Sequence, residues 1–250
     1  MIELFSVLVL VGIGIVAGFL NVVAGGGSLL TIPILIFMGL PPNTANATNR
    51  IAIFWQNIFA IRKFDNAGLV EARYSIYLGL ASVPGAVIGA LMAVAIDGVV
   101  FVKLLALLML AVGVAILFGS SRRADYAEGI GHSQSWKGVL VLFLVGIYGG
   151  FVHAGVGFII ILVLTWLTTF SLAKINSIKV IVAFIYTIPV IGIFILEDAI
   201  DWTHGLVLAV GTSLGGWLGS VFSIAKGDKW IKIFVFSALV TMSIKLWFYN

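Results

Sequence analysis

The sequence predicts an all-α polytopic membrane protein built from two inverted repeats, each a glycine-broken helical hairpin followed by three transmembrane helices. Three observations lead there. The chain is 62% hydrophobic and only 10% charged, with a mean hydropathy of +1.21, whereas a soluble domain carries roughly 25% charged residues. Glycines interrupt two apolar runs, at Gly25-Gly26-Gly27 and at Gly155-Val156-Gly157. One shift of 130 residues carries Ala24-Gly25-Gly26-Gly27 onto Ala154-Gly155-Val156-Gly157, Asn46 onto Asn176, Gly85 onto Gly215 and Gly89 onto Gly219.

Each element follows from apolar length and its punctuation, since a spanning helix needs about 20 apolar residues. The first helix is expected from about Leu4 to Asn21, ending at the glycines, each of which costs a helix roughly 1 kcal/mol relative to Ala. A second, Ser28 to Met38, is too short to span and is closed by Pro41-Pro42. Asn43 or Thr44 is the expected cap of a third helix reaching Ile61 before Arg62-Lys63. A fourth runs from Tyr74 to Ala95 and a fifth from Val99 to Phe118. The polar stretch Gly119 to Trp136 reads as a linker, giving a first repeat at 1–119, a linker at 120–136 and a second repeat at 137–250. In the second repeat, helices are expected at Lys137–Val152, from Phe158 to Thr169, at Leu172–Leu196, Gly205–Ala225 and Trp230–Phe248.

Charge sets the expected topology. If each broken helix turns back on itself, Arg62, Lys63, Arg73, Arg122, Arg123, Lys137, Lys174, Lys226 and Lys229 share one face. The opposite face keeps Glu3, Asp97 and Glu197 to Asp201, with Lys103 nearby. The positive-inside rule prefers this arrangement, which puts both termini outside and makes the halves inverted. Glu3 in place of a basic start, and no A-x-A site after Gly12, favour a retained first helix over a signal peptide.

Composition also narrows the function. The net charge of +4 lies at helix ends and connectors, which suits topology and not nucleic acid. Without cysteine there is no thiol chemistry, and no cofactor or metal site is expected. Glu197, Asp198, Asp201 and His204 resemble a metal set by composition alone, and solvated charge is the better reading. No Walker A motif accompanies the helices. Ser28 and His153 invite a hydrolase, but no G-x-S-x-G elbow is present, so an enzyme is not expected.

The candidate site is a cradle for an anion. Broken helices aim their positive N-terminal ends at such ligands, so the amides of Gly25, Gly26, Gly27 and Ser28 and of Gly155, Gly157 and Phe158 are candidates. The competing reading is that these glycines only let helices cross closely. Arg50, in Asn46-Ala47-Thr48-Asn49-Arg50, lies about two turns into its helix, and Lys179, in Asn176-Ser177-Ile178-Lys179, occupies almost the corresponding place. A charge within a span costs roughly 3 kcal/mol and faces a cavity or a partner. With no carboxylate at helical spacing, an anion is the expected partner; snorkelling to headgroups is the alternative. Asn21, Asn46, Thr48, Asn49, Asn176 and Ser177 are expected to line the same cavity, with Gln56, Asn57 and Thr31 open to the same role or to bonding a neighbouring helix. His153 is a candidate carrier of a coupling proton.

Gly18-Phe19-Leu20-Asn21-Val22-Val23-Ala24-Gly25-Gly26-Gly27-Ser28-Leu29-Leu30-Thr31-Ile32-Pro33, followed by Ala45-Asn46-Ala47-Thr48-Asn49-Arg50, resembles the sulfite exporter TauE/SafE family of permeases. Gly150 to Gly157 and Asn176 to Lys179 are weaker echoes, and the resemblance spans essentially the whole chain. It implies a multi-pass permease of the bacterial inner membrane that moves small sulfur-containing or organic anions such as sulfite or sulfoacetate. The expected mechanism is alternating access, one repeat rocking against the other, in the lipid bilayer and with a homo-oligomer compatible. Export needs little coupling, whereas uptake needs protons or sodium. An anion channel is the alternative, with an intramembrane hydrolase behind it.

Overall fold

A computed structural model of the chain describes residues 4–118 and 136–225, together with Ile244, Trp247 and Phe248. Among these residues the fold is all-helical, in the order α1 (Leu4–Ala24), α2 (Ser28–Phe37), α3 (Pro42–Asn66), α4 (Ala72–Ala95), α5 (Gly98–Phe118), α6 (Trp136–Phe151), α7 (Val156–Leu167), α8 (Leu172–Leu196) and α9 (Trp202–Ala225). Most of the expected linker and nearly all of the expected last helix, Trp230 to Phe248, lie outside the described residues. Helices α1, α4, α8 and α9 are long and apolar enough to cross a membrane. Large apolar side chains face outward, among them Leu80, Leu91, Leu144, Leu162 and Trp166. Lipid tails cover such a surface without the penalty that water would impose.

Several boundaries move for physical reasons. The third helix starts at Pro42, with Pro41 as its N-cap and no side-chain cap, because proline suits the first turn, where its missing N–H costs nothing. Asn43 is therefore inside α3 and is not its cap; its amide donates to the carbonyl of Ile96 at the end of α4 (2.9 Å). The same helix continues through Arg62-Lys63 to Asn66, since basic residues complement a helix C-terminus and do not stop it. The short helix after the second break opens at Val156, two residues before Phe158: Gly155 takes a left-handed conformation (φ +75°) and caps it, and the Val156 amide closes the turn onto the His153 carbonyl (3.2 Å). Gly157 thus lies in the first turn of α7 and not in the break.

Both breaks turn the chain back. A Cβ on Gly27 would overlap the Ala17 carbonyl oxygen, about two and a half turns earlier in α1. In the second hairpin a Cβ on Gly149 would stand 3.2 Å from the Val156 side chain. At about 1.5 Å per residue, α2 and α7 are about 15 and 18 Å long, roughly half the hydrocarbon thickness, so neither is long enough to cross a membrane alone. The breaks also touch each other, because a Cβ on Gly25 would overlap backbone atoms of Gly157 and Phe158.

The internal duplication is visible in the helices. Adding 130 to the bounds of α3 and α4 gives those of α8 and α9. The shift is 128 from the start of α2 to that of α7, because α7 has 12 residues and α2 has 10. That register sets His153 (φ +58°) opposite Gly25 (φ +83°), so both breaks hold a left-handed residue at the same point.

Packing crosses the halves. The most extensive contacts are α1 with α9, α4 with α6, α3 with α9 and α4 with α8. Glycine makes these approaches possible: a Cβ on Gly85 or Gly89 would overlap the carbonyl of Phe143 or Ile147, and one on Gly215 the carbonyl of Ile15. Gly85→Val should therefore lower the detergent melting temperature by an amount equivalent to about 1–3 kcal/mol of overpacking. Gly12→Ala, where a Cβ meets nothing within 4 Å, should leave it unchanged or slightly raised. Circular-dichroism melts of the two variants check this.

Candidate functional site

Each broken hairpin leaves the last carbonyls of its first helix without intrahelical donors. In this chain, side chains from the other half supply them. Arg50 on α3 donates from one terminal nitrogen to the Gly149 carbonyl (2.6 Å) and from the other to the Gly150 carbonyl (2.7 Å). One turn earlier, Asn46 donates to the Phe151 carbonyl (2.8 Å). The mirrored set sits on α8. Lys179 Nζ donates to the carbonyls of Asn21 (2.9 Å) and Val22 (2.6 Å), and Asn176 reaches the Val23 carbonyl at 3.4 Å. Carbonyls 21–23 and 149–151 differ by the shift of 128 found for the hairpins, so the two caps are counterparts.

A cation at a helix C-terminus also meets the negative end of the helix dipole. Both cations are buried to 2% exposure or less, so snorkelling does not describe them. Among the described residues neither forms an ion pair with a carboxylate; the ion pairs there are Lys174 with Glu71 and His204 with Asp201, both elsewhere. Carbonyl dipoles, and not a carboxylate, are the partners of both groups among the described residues.

Beside Lys179 lies a small cavity of about 10 Å³, room for about one water, lined by Asn21, Asn57, His153, Val156, Gly157, Lys179, Val180 and Ala183. Of the sequence candidates, the cavity thus gathers Asn21, His153, Gly157 and Lys179. Its wall contains a side-chain amide with spare capacity: Asn57 Nδ2 is buried and has no hydrogen-bond partner. An unpaired buried donor costs about 1–3 kcal/mol, so this group favours any acceptor that enters. His153 is positioned by Tyr186, whose hydroxyl stands 2.9 Å from Nδ1. Tyr148 donates to the Ala154 carbonyl and steadies the same break.

The other candidates are placed elsewhere. Arg50 lies behind the second break, its guanidinium 5.8 Å from the Phe194 ring centroid. Asn49 joins α3 to the first hairpin, donating to Ser28 Oγ (3.0 Å) and accepting from Thr31 (2.6 Å). That bond gives Ser28 a partner other than His153. Asn176 accepts from Lys179 (2.9 Å) and donates to Ser223 (2.8 Å), while Ser177 is buried with an unpartnered hydroxyl. Of the break amides, those of Gly25 and Phe158 donate to chain carbonyls. Gly25 forms the crossing with Gly157 and Phe158, Gly26 lies against the Phe158 ring, Gly27 packs on Ala17 of its own hairpin, and Gly155 caps α7. Sequence reasoning gives Asn57 no more weight than any buried amide, and it misses Ser223 and Tyr148. Only their partners, distant in the chain, mark them.

Thr48 points to the turn between α8 and α9, where its hydroxyl accepts from the Asp201 amide (2.9 Å). Burial alone would raise the Asp201 carboxyl, but hydrogen bonds from the His204 amide and ring and from the Thr203 amide hold it below the usual carboxylate range. A depressed native value means the stabilisation is complete above the unfolded value near 3.9 and is lost as pH falls through the native one. The melting temperature of the wild type should exceed that of Asp201→Asn by a constant amount above about pH 5, and the gap should narrow below about pH 4. Parallel thermal melts across pH measure it.

Comparison with known proteins agrees with this architecture. The family model described as sulfite exporter TauE/SafE matches residues 10–246. A probable membrane transporter protein of Haemophilus influenzae is 31% identical over 94% of this chain and 91% of its own length. The probable membrane transporter protein ORF9 of a Sinorhizobium species is 30% identical over 92% of this chain and 88% of its own. YfcA of Escherichia coli K12, also a probable membrane transporter, is 30% identical over 95% and 88%. No solved structure matches the chain. These names indicate a membrane transporter and not an enzyme, and with a family match over nearly the whole sequence the chain belongs to the sulfite exporter TauE/SafE family.

Proposed function

We propose that this protein is a secondary carrier of small anions, sulfur oxyanions such as sulfite or small organosulfonates such as sulfoacetate, that works by alternating access between two inverted halves in a bacterial inner membrane. One observation carries the reading: a buried cavity whose wall holds the Lys179 ammonium and the unpartnered Asn57 amide. Charge and free donors together select an acceptor-rich ligand. Sulfite fits this chemistry, presenting several oxygen acceptors on a small body. Asn21 and Gly157 complete the wall, and His153 is the group there suited to exchange a coupling proton.

At an inside-negative potential, an anion gains about 2.3 kcal/mol per charge per 100 mV on leaving the cell. The proposed direction is therefore export, with little coupling demanded. A carrier with one internal seat saturates and shows trans-stimulation; an anion channel does neither.

Lys179→Gln keeps a polar side chain and removes the charge. Losing a charge-assisted hydrogen bond of about 1.5–3 kcal/mol should weaken sulfite uptake into proteoliposomes by about 10- to 100-fold, read from flux at subsaturating substrate. Asn57→Leu should cost less, within about tenfold, because it removes one neutral donor. Sulfite flux unchanged in Lys179→Gln overturns the assignment of the seat.

A further inference from the structure

Packing divides the helices differently from the sequence. One hydrophobic cluster joins α1, α2 and α5 with Ala45 and Ala52 of α3, Leu208 of α9, and Val152 and Ala154 of the second break. Another joins α4, α6, α7 and α8, with only Ala47 and Ile51 from α3. The contacts of α1 and α3 with α9, and of α4 with α6 and α8, follow the same division, while α3 also packs on α8 across it. Each half has therefore lent one helix, α4 or α9, to the other's core. Polar bonds inside these groups cross the halves as well: Thr212 of α9 donates to the Ala52 carbonyl of α3 (3.0 Å), and Lys174 of α8 pairs with Glu71 at the head of α4 (2.6 Å).

We propose that the bodies that move during transport are these two exchanged lobes, α1-α2-α3-α5-α9 and α4-α6-α7-α8, and that Arg50 and Lys179 are the latches between them. This rests on the carrier reading for its purpose, but not for its geometry. Sliding α1 past α9, as two rigid halves would require, drives Gly14, Gly18, Gly211 and Gly215 out of backbone contacts that admit no Cβ. The seam between the lobes holds such a contact at the crossing of the breaks, where Gly25 meets Gly157 and Phe158. Its polar bonds gather at the breaks, where Arg50 and Asn46 reach from α3 to α6, and Lys179 and Asn176 from α8 to α1, with Asn176 also holding Ser223 of α9. Away from them Asn43 of α3 donates to the Ile96 carbonyl at the end of α4, and the Asp201 amide after α8 donates to Thr48 of α3. Lys179 belongs both to this seam and to the cavity wall. An anion that draws its ammonium away from the Asn21 and Val22 carbonyls loosens one latch, so occupancy of the cavity is communicated to the lobes. Arg50 and Lys179 are thus positioning residues as well as sources of charge.

The chain contains no cysteine, so paired spin labels can be introduced without background. Leu8→Cys with Leu214→Cys reports α1 against α9, within a lobe and across halves. Leu8→Cys with Leu91→Cys reports α1 against α4, across lobes and within a half. All three side chains are exposed. In lipid nanodiscs without any anion substrate, adding Lys179→Gln should shift or broaden the Leu8–Leu91 distance distribution by more than about 2 Å and leave Leu8–Leu214 unchanged. Lys179→Arg should restore the former. If Lys179→Gln does not fold, Asn176→Ala, which removes the bridge between Lys179 and Ser223, takes its place with the same expectation. A shift confined to Leu8–Leu214, or no shift in either pair, overturns the proposal. Adding sulfite to the labelled wild type then tests the cargo separately. If the latch variant moves the lobes and sulfite does not, the choice of sulfite as substrate fails while the lobes stand.

Discussion

A helix that stops inside a membrane protein, among buried residues, leaves most of its last carbonyls to be satisfied by the protein itself. This protein stops two helices there, α1 and α6, and satisfies each with a cation and an amide from the opposite half. The rest of the centre follows from that requirement. Because the donors come from the other half, the two breaks must lie side by side, and the glycines at Gly25 and Gly157 are what let their backbones touch. Among the described residues neither cationic side chain is paired with a carboxylate.

The same requirement links fold to function. A charge solvated by carbonyl dipoles remains available to a stronger acceptor, as a charge neutralised by a carboxylate does not. A cavity beside Lys179 with a spare amide therefore has a reason to hold an anion, and the anion has a reason to disturb the contact between α8 and α1. Site and seam share one ammonium.

Much of the fold was legible because membranes impose simple rules. Apolar length located α1, α4, α8 and α9, and α8 was placed at Leu172–Leu196 on both readings. Glycines inside apolar runs located the breaks, and charge asymmetry argued for hairpins. What escaped was whatever depends on neighbours distant in the chain. The burial of Arg50 and Lys179 was readable from their positions, but the carbonyls that receive them were not, since a backbone acceptor has no sequence signature. The exchange of α4 and α9 left only G-x-x-x-G pairs as a trace, and such pairs do not name their partners. The register of the second break was misjudged by two residues because matching glycines stood in for structure. In the register of the helix starts His153 stands opposite Gly25, although Gly155 is left-handed as well.

The two halves are alike in plan and unlike in chemistry, and the difference divides their labour. Arg50 presents a planar fork that matches two successive carbonyls, and it is enclosed away from the cavity, against Phe194. Such a two-point fit resists exchange for another ligand. Lys179 is a compact charge on a flexible stem, holding two carbonyls and Asn176 with donors that rotate freely. It can trade one of them for an oxygen of a bound anion without breaking the rest. In the proposed carrier, a cavity on the lysine side puts the cargo at the more easily exchanged contact, while the arginine side keeps its two carbonyls. Two identical latches would bind two anions alike or none. One fork and one ammonium give a symmetric frame a single working seat.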